Sequence, residues 1–347
     1  MLITIIASIV AFGLLIFFHE LGHFLMAKKV GIKVEKFSLG FGPELIGFTK
    51  GDTRYSFSAI PFGGFVKMSG ENDITKTLPW DYNAKSVWER ILVVFFGPFF
   101  NFILAFLLFA IVFMIGVASV DVNSTVIGKI SKGFPAEIVG LKPGDQIIKI
   151  NNVEVKDWQD VQGTIQKNID NGMKIEILRD GKQQGFDISP KLDAKENRKI
   201  IGISPKETIK KMNFFEAVWE GFAHTFILSW AILKGLFLVI FGKVKADIAG
   251  PVGIVQMLGS QASYGITSLL YFIGFLSVNL GIINLFPLPI PILDGGVIFF
   301  LVIEKITGKP LSEKNRQFLE QVGIALLISL MVYATFKDII RLKTPWK

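Results

Sequence analysis

The chain has no cysteine among its 347 residues, only three histidines, and few charges, with 19% Asp, Glu, Lys or Arg. The absence of cysteine excludes disulfide frameworks, thiolate metal sites, iron–sulfur clusters and cysteine nucleophiles. Soluble domains carry about 25% charged residues. The shortage of charge, set beside 51% hydrophobic residues, therefore points to a membrane protein. A formal net charge of +8 needs no nucleic acid, because positive loops flanking membrane spans account for it.

What the chain has instead is long hydrophobic runs. Leu2–Phe18 carries no charge, and its apolar character continues to Ala27. Ile91–Ala118 carries none, and Ile266–Ile303 carries one, Asp294. Val322–Phe336 needs Phe318 and Leu319 to approach the ~20 residues of a helical span. The fold class expected is a polytopic α-helical membrane protein with about four transmembrane helices, over residues 1–27, 91–118, 266–303 and 319–337. The first run lacks a basic leader and a small-residue cleavage site, so it is expected to be retained rather than removed as a signal peptide.

Between the spans the composition changes. Residues 28–90 form a loop in which the alternation of Tyr55–Ile60 suggests strands. Residues 120–205 read as a small soluble α+β domain, with strands at Val126–Ile130, Gln146–Ile150 and Lys174–Leu178 and a hairpin turn at Asp180-Gly181. Asp157 is placed to cap a helix running to about Gln166. Residues 206–265 are expected to be an interfacial linker, 304–318 a short loop and 338–347 a tail.

His19-Glu20-Leu21-Gly22-His23 is a His-Glu-x-x-His pattern on the first apolar helix. Imidazoles at i and i+4 share one helical face and can reach one metal ion, and the intervening Glu20 can take a proton from water. Three ionisable residues in a span are costly and by default functional. Catalytic zinc takes three protein ligands, so Zn²⁺ held by His19 and His23 needs a third. His224 lies in a segment with no other site-like residue. Asp294, the lone charge of the third run, follows Pro287, Pro289 and Pro291 and precedes Gly295-Gly296, a backbone that cannot remain regular helix. Such backbone is tolerated at membrane depth where it lines a cavity. Asp294 is the expected third ligand.

The His19-Glu20-x-x-His23 motif, Leu293-Asp294-Gly295 and the inserted domain together resemble the site-2 protease family of intramembrane zinc metalloproteases. Gly40-Phe41-Gly42-Pro43, Gly63-Gly64-Phe65-Val66-Lys67-Met68, Gly97-Pro98-x-x-Asn101 and Gly250-Pro251-Val252-Gly253-Ile254 resemble further family motifs, in the family's order. The resemblance implies that residues 120–205 are a PDZ domain, and that the 28–90 loop contains a membrane-associated β element. Some members carry two tandem PDZ modules, whereas this chain has room for one. The family's late motif sets an asparagine eight residues before the aspartate; here Asn284 lies ten before Asp294, with an extra Ile-Pro pair. Asn284 is the residue to which the resemblance gives a role in holding substrate near zinc.

The metal residues must lie at similar depth. His19 and His23 come late in span one, and span two returns the chain to the opposite side, where the PDZ-like domain follows. Asp294 comes late in span three, which must then start from the PDZ side. Gly221–Phe241 is accordingly read as an interfacial amphipathic helix rather than a crossing. Ten Lys/Arg between Lys28 and Arg90 and four in Lys305–Arg316 put the loops and the active-site face in the cytoplasm, although the basic C-terminal tail pulls the other way. The resemblance places the protein in a bacterial inner membrane.

A helical substrate must unwind to be cut, and an exposed strand edge can supply the lost backbone hydrogen bonds. Phe62–Met68 is the candidate, with Gly63, Gly64, Phe65, Val66 and Lys67 as substrate-binding residues. The expected substrates are single-span membrane proteins already shortened outside the membrane; the resemblance suggests an anti-sigma factor and remnant signal peptides. The PDZ-like domain, with Gly140–Asp145, either captures a peptide C-terminus or acts as a size gate. Two other classes compete: a non-catalytic PDZ-bearing scaffold, which has no need of Glu20, and a metal transporter, which fits a strand-rich loop and a glutamate base less well. Membrane lipid is a partner in every case.

Overall fold

The computed structural model describes residues 1–71, 78–169, 172–193, 198–244 and 249–343. The chain divides into two units, one of Met1–Ile115 with Met212–Lys347 and one of Gly116–Lys211.

In the first unit the opening apolar run becomes α1 (Leu2–Lys29), which ends on Lys28 and Lys29, cations that suit a helix C-terminus. It leads into β1 (Val34–Lys50) and β2 (Thr53–Met68), then α2 (Val87–Ile115). Val34–Leu39 of β1 faces two stretches of β2 at once: Phe37 lies opposite both Val66 and Tyr55, and Leu39 opposite both Gly64 and Phe57. Farther along, β1 pairs the same first stretch of β2 from its other side, as at Phe48 opposite Tyr55. Gly64–Met68 therefore forms an outer edge, bonded to β1 alone among the described residues. Phe62 itself lies outside the described side chains.

The second unit contains β3 (Val117–Val120), β4 (Ile127–Ile130), α3 (Pro135–Ile138), β5 (Gln146–Ile150), β6 (Val153–Glu154), α4 (Trp158–Lys167), β7 (Met173–Arg179), β8 (Lys182–Ile188), β9 (Lys191–Asp193), β10 (Arg198–Ile200), β11 (Ile203–Pro205) and β12 (Glu207–Lys210). Its largest sheet runs β6-β5-β7-β8. Ile147, Ile150, Ile175 and Ile177 from that sheet pack on Val161 of α4 in a buried core. The β7–β8 turn is Asp180-Gly181, both at positive φ, as a two-residue hairpin requires. Asp157 caps α4 by accepting from Asp160 N–H at 2.8 Å. The unit is wider than residues 120–205 because β3 pairs with β12, Val117 opposite Lys210.

Asp145 is buried, and its carboxylate accepts from Arg179 Nε at 2.7 Å and from the Lys142 N–H at 2.7 Å. Arg179 also donates to the Gly140 carbonyl, so the Gly140–Asp145 loop is pinned to β7. Burial pushes the Asp145 carboxyl up, but the bonds from Arg179 and Lys142 and their positive charges more than reverse this, leaving it below the ordinary carboxylate value. The stabilisation is therefore complete above an unfolded pKa of about 4 and is lost as pH falls through the lower folded value. Asp145→Asn should destabilise this unit by on the order of 2–3 kcal/mol, below the range for a fully buried pair because Arg179 keeps one side in water. Hydrogen exchange of β5 and β7 in the full chain checks it, and unchanged protection contradicts it.

Back in the first unit follow α5 (Phe214–Ile240), α6 (Pro251–Tyr264), α7 (Ile266–Leu285), α8 (Asp294–Thr307) and α9 (Glu313–Lys343). Among the described residues five helices, α1, α2, α5, α7 and α9, are long and apolar enough to cross a membrane, against the four expected; the addition is α5. The third hydrophobic run is not one helix. Phe286, preceding Pro287, is extended, which closes α7, and the chain reopens as helix only at Asp294. The intervening turn folds back on the start of α8: a Cβ on Gly295 would strike the Phe286 carbonyl, and one on Gly296 the Ile290 carbonyl. Glycine is required at both.

Candidate metal centre

The two histidines of the first span and the aspartate of the third run meet. His19 Nε2 lies 3.3 Å from His23 Nε2 and 3.3 Å from Asp294 Oδ2, and His23 Nε2 lies 3.5 Å from Asp294 Oδ1. Zinc bonds to nitrogen and oxygen ligands are about 2.0–2.2 Å, so a tetrahedral ion separates neighbouring ligands by about 3.3–3.5 Å. The spacing fits zinc. His23 is buried, and His19 and Asp294 are half-buried.

Small residues make this convergence possible. A Cβ on Gly22 would collide with the Phe96 carbonyl of α2, and one on Gly97 with the His23 ring. These two glycines let α1 and α2 cross closely enough to seat the imidazole against the neighbouring backbone. Asp294 is the first residue of α8, and the other end of that helix is held by Glu304, which takes a two-pronged bond from Arg90 of α2, one arm at 3.2 Å. Both partners are largely buried, so the pair fixes where α8 lies.

Glu20 is half-buried on the same helix. The outer strand runs beside it, because a Cβ on Gly64 would come within 3.0 Å of Glu20 Cγ. Gly63 has φ +139 and sits against the Phe41 ring, which stacks with Phe65 at 6.3 Å. Val66 packs into the cluster of Met26, Ile32 and Val34, while Lys67 pairs outward with Glu35 at 2.7 Å. Asn284 stands in the last turn of α7, half-buried, with no hydrogen bond to the histidine–aspartate cluster among the described residues. The asparagine that does touch the cluster is Asn101, 3.1 Å from His19 Nδ1. Its motif was visible in the sequence, but nothing in the spacing assigned it a partner 82 residues away.

The irregular turn before α8 borders a cavity of about 420 Å³, lined by Pro291 together with Glu71, Asn83, Arg90, Glu304 and Arg316. Burial pushes the Glu71 carboxyl above its ordinary value.

A histidine pair and an aspartate held at zinc spacing, with a glutamate on the same helix, define a metallopeptidase whose centre lies among membrane-length helices. The family model that matches residues 7–330 is that of Peptidase family M50, and the chain belongs to this zinc-dependent site-2 protease family. It is 40% identical over 338 residues, 97% of each chain, to a Clostridium acetobutylicum protein provisionally named a zinc metalloprotease. The regulator of sigma-W protease RasP of Bacillus subtilis is 32% identical over 421 residues, covering 98% of this chain and 99% of that protein. The zinc metalloprotease RasP of Geobacillus kaustophilus is 30% identical, covering 97% of each. A solved PDZ domain of the SdrC-like protein of Listeria monocytogenes aligns with 25% of this chain and 92% of its own, at 25% identity and a TM-score of 0.22. The order of motifs also resembles the bacterial regulator of sigma-E protease, RseP. The protein is a membrane zinc metalloprotease.

Proposed function

We propose that the chain cuts single-span membrane proteins within the bilayer after a first cut has shortened them outside it, with an anti-sigma factor as the leading substrate and remnant signal peptides as a second class. The observation that carries this is the juxtaposition of Glu20 and the His19–His23–Asp294 cluster with a strand edge at Gly64–Met68 that is unpaired among the described residues. The name of the Bacillus relative, a regulator of a sigma factor, supports the substrate class.

His19, His23 and Asp294 would hold zinc, which when bound supplies Lewis-acid polarisation of the scissile carbonyl and makes a water more acidic. The Glu20 carboxylate takes the proton of the attacking water and returns it to the leaving amide nitrogen. The edge residues Gly63, Gly64, Phe65, Val66 and Lys67 receive the unwound substrate as an added strand, so that its freed N–H and C=O groups are not left bare in lipid. Asn284 is left as a substrate contact reached from the end of α7.

Four crossings, by α1, α2, α7 and α9, suit this arrangement. The residues of α5 that are buried, Ala217, Gly221 and Thr225, all lie in its first half, near the C-terminal turns of α2. By Gly259 the chain packs on Thr4, at the start of α1. A helix that leaves from one end of the bundle and whose successor rests at that same end is better read as lying along the interface. The loop positive charges support an active-site face in the cytoplasm of an inner membrane and an extracytoplasmic PDZ domain over residues 120–205, acting as a size gate or a C-terminal peptide binder.

Purified chain reconstituted with a single-span substrate should cleave it and stop on zinc chelation. Successive N–H groups of a strand point to opposite edges, so proline at Val66 and at Lys67 removes one donor to β1 and one to the free edge. The free-edge variant should lose about tenfold in turnover, the worth of one hydrogen bond, while keeping its zinc. Unchanged turnover in both variants removes this strand from substrate binding.

A further inference from the structure

The motif Gly97-Pro98-Phe99-Phe100-Asn101 has no part in the chemistry above, yet it backs onto the histidine pair. Asn101 is fully buried, and its backbone carbonyl accepts from the Ser277 hydroxyl at 2.7 Å. One end of its side-chain amide, Nδ2, lies 3.1 Å from His19 Nδ1, while the other end, Oδ1, is buried with no hydrogen-bond partner among the described residues. His23 has a backbone counterpart: its Nδ1 lies 2.9 Å from the Val93 carbonyl, which can only accept. His23 therefore carries its proton on Nδ1 and turns the Nε2 lone pair toward Asp294 and His19. For His19 to present Nε2 to the same point, its Nδ1 must be protonated as well. Two donors would then face each other across 3.1 Å if Nδ2 stayed toward the ring. The ends of a carboxamide have the same shape and exchange by a half-turn. With Oδ1 toward His19, the orphaned acceptor receives the ring N–H.

We propose that Asn101 is a positioning residue for His19: through Oδ1 it holds the imidazole in the Nδ1–H form that leaves Nε2 free for zinc, as the Val93 carbonyl does for His23. One helix, α2, thus supplies the outer partner of both imidazoles, and Gly97 between them leaves room for the His23 ring. Outer partners of this kind fix ring orientation and raise ligand basicity, and their loss typically costs 10–100-fold in metal affinity. The proposal rests on His19 and His23 being zinc ligands.

The test is zinc affinity of the full-length protein in detergent, measured by chelator competition for wild type, His19→Ala, Asn101→Leu and Asn101→Asp. Asn101→Leu keeps the volume and loses the acceptor, and should bind zinc about 10–100-fold more weakly. Asn101→Asp keeps an acceptor and should match or exceed wild type. If Asn101 merely fills space, the order reverses, because leucine is harmless there and a buried carboxylate disrupts; that order, or wild-type affinity in Asn101→Leu, overturns the proposal. Undiminished zinc in His19→Ala would instead overturn the ligand assignment itself. Histidine-selective ¹⁵N spectra of the zinc-loaded wild type need no variant to fold: two imidazoles protonated at Nδ1 support the proposal, and His19 metallated through Nδ1 refutes it.

Discussion

Glu20→Gln should abolish cleavage of a reconstituted single-span substrate while zinc stoichiometry stays at the wild-type value. The substitution preserves the shape of the side chain and removes its basicity. A positioned general base contributes typically 10²–10⁴-fold, so turnover should fall by about that factor. Zinc should remain because the atoms at metal spacing belong to His19, His23 and Asp294, and Glu20 is not among them. The half-buried carboxylate is a burden on the apo fold. Removing its charge should therefore leave thermal stability unchanged or raise it, which separates lost chemistry from lost structure. Full activity in Glu20→Gln would sink the mechanism, and loss of zinc would place Glu20 among the ligands.

Asp294→Ala is expected to empty the site. Its two oxygens lie 3.3 and 3.5 Å from the histidine nitrogens, and without them two imidazoles remain where zinc takes three protein ligands. The affinity loss should exceed the 10–100-fold typical of a lost outer partner. Helix α8 should persist, since its far end is held through Glu304 by Arg90 and its start is packed glycine-to-carbonyl against the preceding turn. Helical content should consequently change little while bound metal, measured by elemental analysis after dialysis, drops to background. Unchanged zinc content would remove Asp294 from the ligand set and direct attention to Glu20 as the third ligand.

Much of the candidate site was legible from local rules. The i, i+4 spacing of His19 and His23 is a property of one helix and needs no neighbour. Asp294 stood out because a single charge in a long apolar run is costly unless it has work to do. The proline ladder from Pro287 to Pro291 announced the break between α7 and α8, and Asp157 and Asp180-Gly181 marked their cap and turn by side-chain chemistry alone. The path of α5 is less legible, because composition permits a crossing; its fully buried residues, Ala217, Gly221 and Thr225, lie in its first half.

The His19–His23 pair and the missing cysteines thus pointed, by residue type and by spacing within one helix, to a histidine metal site, and the lone charge of an apolar run made Asp294 the candidate third ligand. The rest depended on chain segments far apart in sequence. His23 finds its acceptor 70 residues away at Val93, and His19 lies beside Asn101, 82 residues on. The outer strand reaches Glu20 only because β1 is paired on both sides. Hydrogen bonds and close backbone approaches act over about 3 Å, so which remote residues meet within that range is decided by the folded path of the chain and by nothing local.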